Sequence, residues 1–353
     1  LQKIMEVNTE KTVRDLQFMK TFKHYGAPSM TFNEWNPLKK VVVGIADYAK
    51  IPPLSKGMHT VNYADKIDLS SITVGLYPQQ VIEETNEDLN TFVEFLQNLD
   101  IEVVRPTVNK HVEYYNYCPR DLIFTYGNKK LATPMTLKER QYEWKDYIDI
   151  IPDFIVPEKI FYDNENYNEE CIGNPDILAL TEQQPMFDAA NIIKANDDIL
   201  YLVSNTGNKA GATWLQSWLK DHGYPVKVHL LENVYSYIHI DSTIAFLREG
   251  LMLLNPDRIK SKDILPKPFC NWDAIFCPQP TDIGFYKNYC NASKWINMNL
   301  LNIDQNLVVV EEHQQSLQQE LKKYKIECAM LPMRHQRTLG GGFHCVTTDL
   351  QRT

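Results

Sequence analysis

The sequence predicts an α/β fold in one compact domain, assembled from repeated helix-then-strand units. Short apolar runs dominate the chain, amphipathic helices are interleaved with them, and three of those helices lead into a short strand of alternating side chains. That recurrence is a faint internal repeat.

Taken in order, residues 1–32 form an N-terminal segment of mixed charge, with a helix expected over 9–22 and no motif. The domain itself is expected to span 33–353. Strand candidates lie at 40–45, 101–104, 122–126, 199–204, 226–230, 242–246, 251–254, 307–311 and 326–331. The first helix, 79–99, puts Ile82, Leu89, Phe92, Val93, Leu96 and Leu99 on one face. The second, 212–222, does so with Trp214, Leu215, Trp218 and Leu219, and Gly223 is placed to end it. The third covers 314–324. The strands after them read Ile101-Glu102-Val103-Val104, Val226-Lys227-Val228-His229 and Ile326-Glu327-Cys328-Ala329. Such units fit a doubly wound sheet as well as modules set radially about a central site, and periodicity does not choose between them. The Pro-rich spots at Ile51-Pro52-Pro53 and Cys277-Pro278-Gln279-Pro280 read as loops.

Bulk properties narrow the function. At 353 residues and 44% hydrophobic content the chain can bury a sizeable core. Its apolar stretches are strand-length, far short of the roughly 20 residues a membrane helix needs, and its first residues lack a secretory pattern. A cytoplasmic location with no membrane partner is expected. Seven cysteines at irregular spacing, without a paired CxxC, fit a reducing compartment better than disulfides or zinc, so no metal is expected. The net charge of −9 and the lack of a basic run argue against nucleic acid as partner. A small, cationic substrate suits the balance better.

The most unusual stretch is Leu339-Gly340-Gly341-Gly342-Phe343-His344-Cys345. Three consecutive glycines cost backbone entropy and let the backbone approach something closely. Cys345 after such a turn is a nucleophile candidate or, alternatively, a buried structural thiol. His344 is expected to face away from it on a strand. In Tyr237-Ile238-His239-Ile240-Asp241, the spacing puts His239 and Asp241 on one strand face, as a base and an acid in one pocket or as a solvated surface. Asp188 sits in the apolar run Pro185-Met186-Phe187-Asp188-Ala189-Ala190, where an ionised carboxylate needs a partner such as His239. Asp121 in Tyr117-Cys118-Pro119-Arg120-Asp121 adds a carboxylate beside a strand. Arg258 in Asn255-Pro256-Asp257-Arg258 adds a fork for a carboxylate, unless these are ordinary turns or surface ion pairs. Together the inventory suits arginine: carboxylates for a planar cation, an Arg for its carboxylate end, and a nucleophile with a base.

At these residues the chain resembles the arginine:glycine amidinotransferase family. The resemblance runs from Phe32-Asn33-Glu34-Trp35-Asn36-Pro37-Leu38 through the motifs above and Ser293-Lys294-Trp295 to Gly340-Gly341-Gly342-Phe343-His344-Cys345, in order and spacing. It implies the five-bladed, pseudo-fivefold α/β propeller of guanidino-modifying enzymes, the pentein fold. It also implies Cys345 as nucleophile, His239 as general acid/base and Asp188 as its orienter. Asp121 and Asp241 match guanidinium ligands, and Arg258 and Ser293 match residues holding the amino-acid end of the donor. The implied reaction is ping-pong transfer of the amidino group of L-arginine to an amine acceptor, releasing ornithine, without metal or organic cofactor; a homodimer is compatible with it.

Three positions depart from the glycine-type pattern. Ile238 stands where Met is expected, Ser236 replaces an Asn, and Ala292 replaces a Ser. As acceptor-specificity candidates they point toward bacterial enzymes of specialised metabolism, with a saxitoxin-like guanidine toxin as the first candidate product and glycine amidination as the second. A deiminase-like hydrolase giving citrulline is the nearest rival, and a non-catalytic arginine-binding scaffold the remaining alternative.

Overall fold

The computed structural model describes residues 30–157 and 162–353, so the helix expected at 9–22 lies outside the described residues. Among those described, five three-stranded sheets share one pairing scheme: an antiparallel pair, with a third strand added parallel after a crossover. Four run consecutively. They are Ile123–Tyr126, Lys129–Ala132 and Phe154–Ile155; Ile192–Ala195, Asp198–Leu202 and Lys227–Leu231; Ile244–Arg248, Leu251–Leu254 and Asp273–Phe276; and Leu301–Asn302, Leu307–Glu311 and Glu327–Leu331. The remaining sheet joins the two ends of the chain. Thr347–Arg352 pairs antiparallel with Leu38–Val43, which pairs parallel with Glu102–Val104.

Three crossovers contain the expected helices, now Gln79–Asn98, Lys209–Asp221 and Gln315–Lys323. The first buries Val81, Leu89, Phe92 and Leu96 at helical spacing. The second starts earlier than the apolar pattern suggests because Asn208 caps it, its side chain accepting from the Gly211 N–H at 2.8 Å. Gly223, with φ of +87°, follows it as expected. The other two crossovers use 3₁₀ turns instead, Lys138–Arg140 with Glu143–Asp146, and Lys262–Ile264 with Phe269–Asn271. A 3₁₀ turn leaves no amphipathic stripe, which is why the repeat was visible in only three of the modules.

The strand Thr347–Arg352 escaped the sequence reading because its buried positions are polar. Asp349 is fully buried, with Arg120 Nη2 and Arg352 Nε each at 2.7 Å. Lys194 Nζ lies 3.7 Å from Asp349 and 3.9 Å from Glu34, and Arg120 also faces Glu34. Paired charges of this kind are costly to break, since losing one strands another in low dielectric. The network ties the closing sheet to its neighbours. Thr31 reinforces it, exchanging backbone bonds with Gly127, while Phe32 packs edge-on against Tyr126 and Tyr224. All seven cysteines are free thiols. No helix among the described residues is long and apolar enough to cross a membrane.

Candidate active site

Each sheet's first strand is preceded by a short turn, and the chemistry-bearing side chains sit in those turns. Asp121 lies in Pro119–Leu122 ahead of Ile123–Tyr126, and Asp188 precedes Ala189–Asn191 ahead of Ile192–Ala195. His239 and Asp241 flank the start of Ile240–Ser242 ahead of Ile244–Arg248. Asn299 follows Lys294–Met298 ahead of Leu301–Asn302, and Cys345 precedes Thr347–Arg352. Neighbouring turns touch, so the shared topology gathers residues far apart in sequence.

Two groups result. In one, Cys345 is 2% exposed, and its thiol donates to Asp241 Oδ2 at 3.1 Å while Asn299 Nδ2 donates to the sulfur at 3.1 Å. Asn299 Oδ1 accepts from the backbone N–H groups of both His344 (2.9 Å) and Cys345 (3.1 Å), fixing the turn. The glycines before it are there for space: a Cβ on Gly341 would lie 2.5 Å from Cys118 Sγ, and one on Gly342 would lie 2.9 Å from Asn299. Gly340 has φ of +89°. The neighbouring Cys118 thiol, burial and the Asp241 carboxylate all push the Cys345 thiol well above its usual pKa, so the sulfur is protonated in this state.

In the other group, His239 Nε2 lies 3.0 Å from Asp188 Oδ2 and Nδ1 lies 3.5 Å from Asp121 Oδ1. Asp188 Oδ1 accepts from the backbone N–H and hydroxyl of Thr136 at 3.2 and 3.0 Å, so the carboxylate that orients the ring is itself held. Burial opposes a charged imidazole, but Asp121 and the Asp188 hydrogen bond prevail and raise the His239 pKa to about 9. Asp121 Oδ2 takes a 2.7 Å ion pair from Arg140, whose guanidinium lies over the Tyr115 ring; among the described residues Oδ1 has no hydrogen-bond partner. Burial raises the Asp121 pKa.

Asp121, Asp188, His239, Arg258 and Ser293 line a cavity of about 1070 Å³. Arg258 stacks on Tyr235 with its guanidinium carbon 3.5 Å from the ring centroid, and donates to Ser242 and Thr243. Among the described residues no carboxylate lies within 4.0 Å of it, so this cation can still receive an anion. Ser293 also caps the turn Lys294–Met298, accepting from Trp295 N–H at 3.3 Å. Ile238 and Ala292 face the cavity; Ser236 is not among its lining residues, and its carbonyl accepts from Asn205 N–H.

Two local expectations are corrected. His239 and Asp241 do not share a strand face: they lie in a turn, and the turn directs them to different partners. His344 does not face away, because residues 343–346 form a turn rather than a strand; its Nδ1 lies 3.1 Å from Asp241 Oδ2. Asn299, Arg140 and Thr136 were missed. Asn299 alone had a visible signal, a polar residue in the apolar run Trp295-Ile296-Asn297-Met298-Asn299-Leu300-Leu301. As to metals, the described residues that cluster suitably are Glu311, Glu312 and His313, outside this cavity.

The chain is 37% identical over 341 residues to inosamine-phosphate amidinotransferase 1 of Streptomyces glaucescens, spanning 91% of this chain and 96% of that protein. It belongs to the amidinotransferase family. Among solved structures, the amidinotransferase StrB1 of Streptomyces griseus matches with a TM-score of 0.86 at 36% identity, over 92% of this chain and 97% of that one. SxtG, an amidinotransferase from Microseira wollei in the saxitoxin biosynthetic pathway, matches with a TM-score of 0.83 at 26% identity, over 92% and 98%. No protein-family model matches the chain. The amidinotransferase has the pentein fold that the family resemblance implied, as its solved neighbours show.

Proposed function

We propose that this amidinotransferase takes the amidino group from L-arginine through an amidino-Cys345 intermediate and passes it to an amine, releasing L-ornithine. The observation that carries the reading is the pairing of a buried thiol on one carboxylate with a charged imidazole held between two others, beside a cavity that Arg258 lines. Arg258 and Ser293 hold the donor's amino-acid end, and the open oxygens of Asp121 and Asp241 receive the guanidinium. The entering cation offsets the charge of a thiolate, so the thiol loses its proton to solvent as arginine binds. The sulfur attacks the guanidinium carbon to give a neutral tetrahedral adduct, and the carboxylates stabilise the positive charge that returns as the leaving nitrogen is protonated and the amidino-cysteine cation forms. His239, protonated in the empty site, gives its proton to the donor's Nε, which becomes the δ-amine of ornithine, as the carbon–nitrogen bond breaks and ornithine departs. The acceptor amine then attacks the amidino carbon, its proton returns to His239, and the thiolate leaves. The whole of 33–353 acts as one catalytic unit, since all five sheets supply a turn to the site.

The acceptor is larger than glycine. The cavity extends past the donor residues to Lys287, a cation suited to an anionic group, and to Lys66 and Arg337, which are paired with Asp65 and Asp282, with Ser70, Ser71 and Tyr237 suited to hydroxyls. A phosphorylated aminocyclitol, the substrate in the names of the relatives at 36–37% identity, supports this shape better than the larger arginine-derived amine of a saxitoxin-type pathway. Either places the enzyme in the biosynthesis of a guanidine-containing natural product.

Guanidino-labelled arginine incubated with a panel of amines, glycine included, tests both levels beside a Cys345→Ala control. Ornithine together with a labelled guanidino product, absent in the control, is expected. Citrulline alone would move the protein to hydrolysis, and no turnover with any amine would remove arginine as donor.

A further inference from the structure

The side chain that the transfer mechanism leaves unused is His344, and its surroundings are too specific for a filler. Its Nδ1 and the Cys345 sulfur converge on the same oxygen, Asp241 Oδ2, each at 3.1 Å. On the far side its Nε2 faces Glu34 Oε2 at 3.6 Å. The backbone on either side is pinned as well: the His344 N–H donates to Asn299, and its carbonyl accepts from Arg120 Nε at 3.3 Å. Glu34, His344, Asp241 and Cys345 thus form one line from the buried ionic network to the nucleophile.

We propose that His344 is a positioning residue for amidino transfer: as an imidazolium bridging Glu34 and Asp241, it turns Asp241 Oδ2 toward the sulfur and compensates that carboxylate's charge beside the forming thiolate. The geometry allows little else. Both ring nitrogens face carboxylate oxygens, so the ring carries a proton on each, whereas a neutral ring would set a lone pair against an anion. Burial and the nearby Arg120 oppose this charge, while the Asp241 and Glu34 contacts raise the His344 pKa. Facing groups from every packed element are Glu34, Arg120, Asp241 and Cys345, with Asp349, Lys194 and Arg352 behind Glu34. With Oδ2 committed to His344 and Cys345, Asp241 Oδ1 stays available for a guanidinium N–H. Without the imidazolium, Asp241 would lose the cation in direct contact with it, keeping only the charges of His239, Arg120 and Arg258 nearby, and would oppose ionisation of the sulfur more strongly.

This inference rests on Cys345 being the nucleophile of the proposed reaction, so its test reads the thiol directly and needs neither donor nor acceptor. The rate of Cys345 alkylation by iodoacetamide is followed against pH by peptide mass spectrometry in the intact protein, His344→Ala and His344→Asn, with exposed Cys290 as the internal reference. Asparagine can replace the Nδ1 donor but not the charge. In both variants the Cys345 profile is expected to move to higher pH by about one unit or more, while that of Cys290 stays fixed. Ornithine release is expected to fall about 10- to 100-fold, less in His344→Asn than in His344→Ala. If His344→Ala does not fold, His344→Asn keeps the donor and decides alone. A folded variant with an unmoved Cys345 profile overturns the proposal, even if ornithine release falls, because a packing role would lower turnover without touching thiol ionisation. Failure of transfer itself would appear in the intact protein as no ornithine, with the alkylation comparison still readable.

Discussion

The two halves of the site hold their protons for opposite reasons. Around Cys345, an anion and a second thiol keep the sulfur neutral; around His239, two carboxylates keep the imidazole charged. The same residue type, a buried Asp, discourages ionisation in one half and enforces it in the other, because one titrating group becomes an anion and the other a cation. In the empty site Cys345 and His239 therefore both carry their protons, and on the proposed mechanism an entering cation unlocks the thiol half while leaving the acid half loaded.

Removing the thiol half altogether is the most severe way to break this comparison. Cys345→Ala is expected to lower ornithine release by at least about ten-thousandfold while the melting temperature stays near that of the parent. On the imidazole side, Asp188→Asn is expected to cost about a thousandfold, and it sharpens the comparison through pH. Asp188 raises the His239 pKa, so its loss lowers it, and the alkaline limb of the pH–rate profile should move below the parent's position near 9. The sign also appears in stability. The His239 contribution is complete below its ordinary value of 6.5 and is lost as pH rises through about 9; denaturant titrations over that window should show a smaller loss in Asp188→Asn.

Arg258→Ala, which touches neither proton inventory, should raise KM for arginine by about 10- to 100-fold with a smaller change in kcat. An equal fall in kcat and kcat/KM would instead place Arg258 in the transition state. Gly341→Ala should lower stability by about 1–3 kcal/mol, because its methyl group would collide with the Cys118 sulfur behind the nucleophile. Ser293→Ala should cost about 1 kcal/mol as a lost cap, with a modest rise in KM. Melting scans and arginine titrations separate the two effects.

The catalytic half-sites differ in how far the sequence revealed them. Asp188 was legible because a carboxylate within an apolar run demands a partner, and Cys345 because three glycines precede it. The link between His239 and Asp241 was legible only as proximity: strand alternation was the wrong geometry, and a 3₁₀ turn sends the two side chains apart. His344 was misread for the same reason. Of the fold, the three modules with amphipathic crossovers could be seen. The two with 3₁₀ crossovers could not, since such turns leave no amphipathic stripe, and the closing strand could not because it buries Thr347, Thr348, Asp349 and Arg352. Arg140 and Thr136 act through tertiary contacts with Asp121 and Asp188, which leave no local pattern.

The closing sheet has a consequence for the timing of synthesis. The strand Thr347–Arg352 begins just after Cys345, the proposed nucleophile, and pairs with Leu38–Val43, which precedes the other four sheets in sequence. Four sheets can form as the chain emerges, yet they hold only carboxylates, an imidazole and an empty place for sulfur. On the proposed mechanism, amidino transfer therefore waits for Thr347–Arg352 to pair, and a nascent chain stalled before that strand is silent.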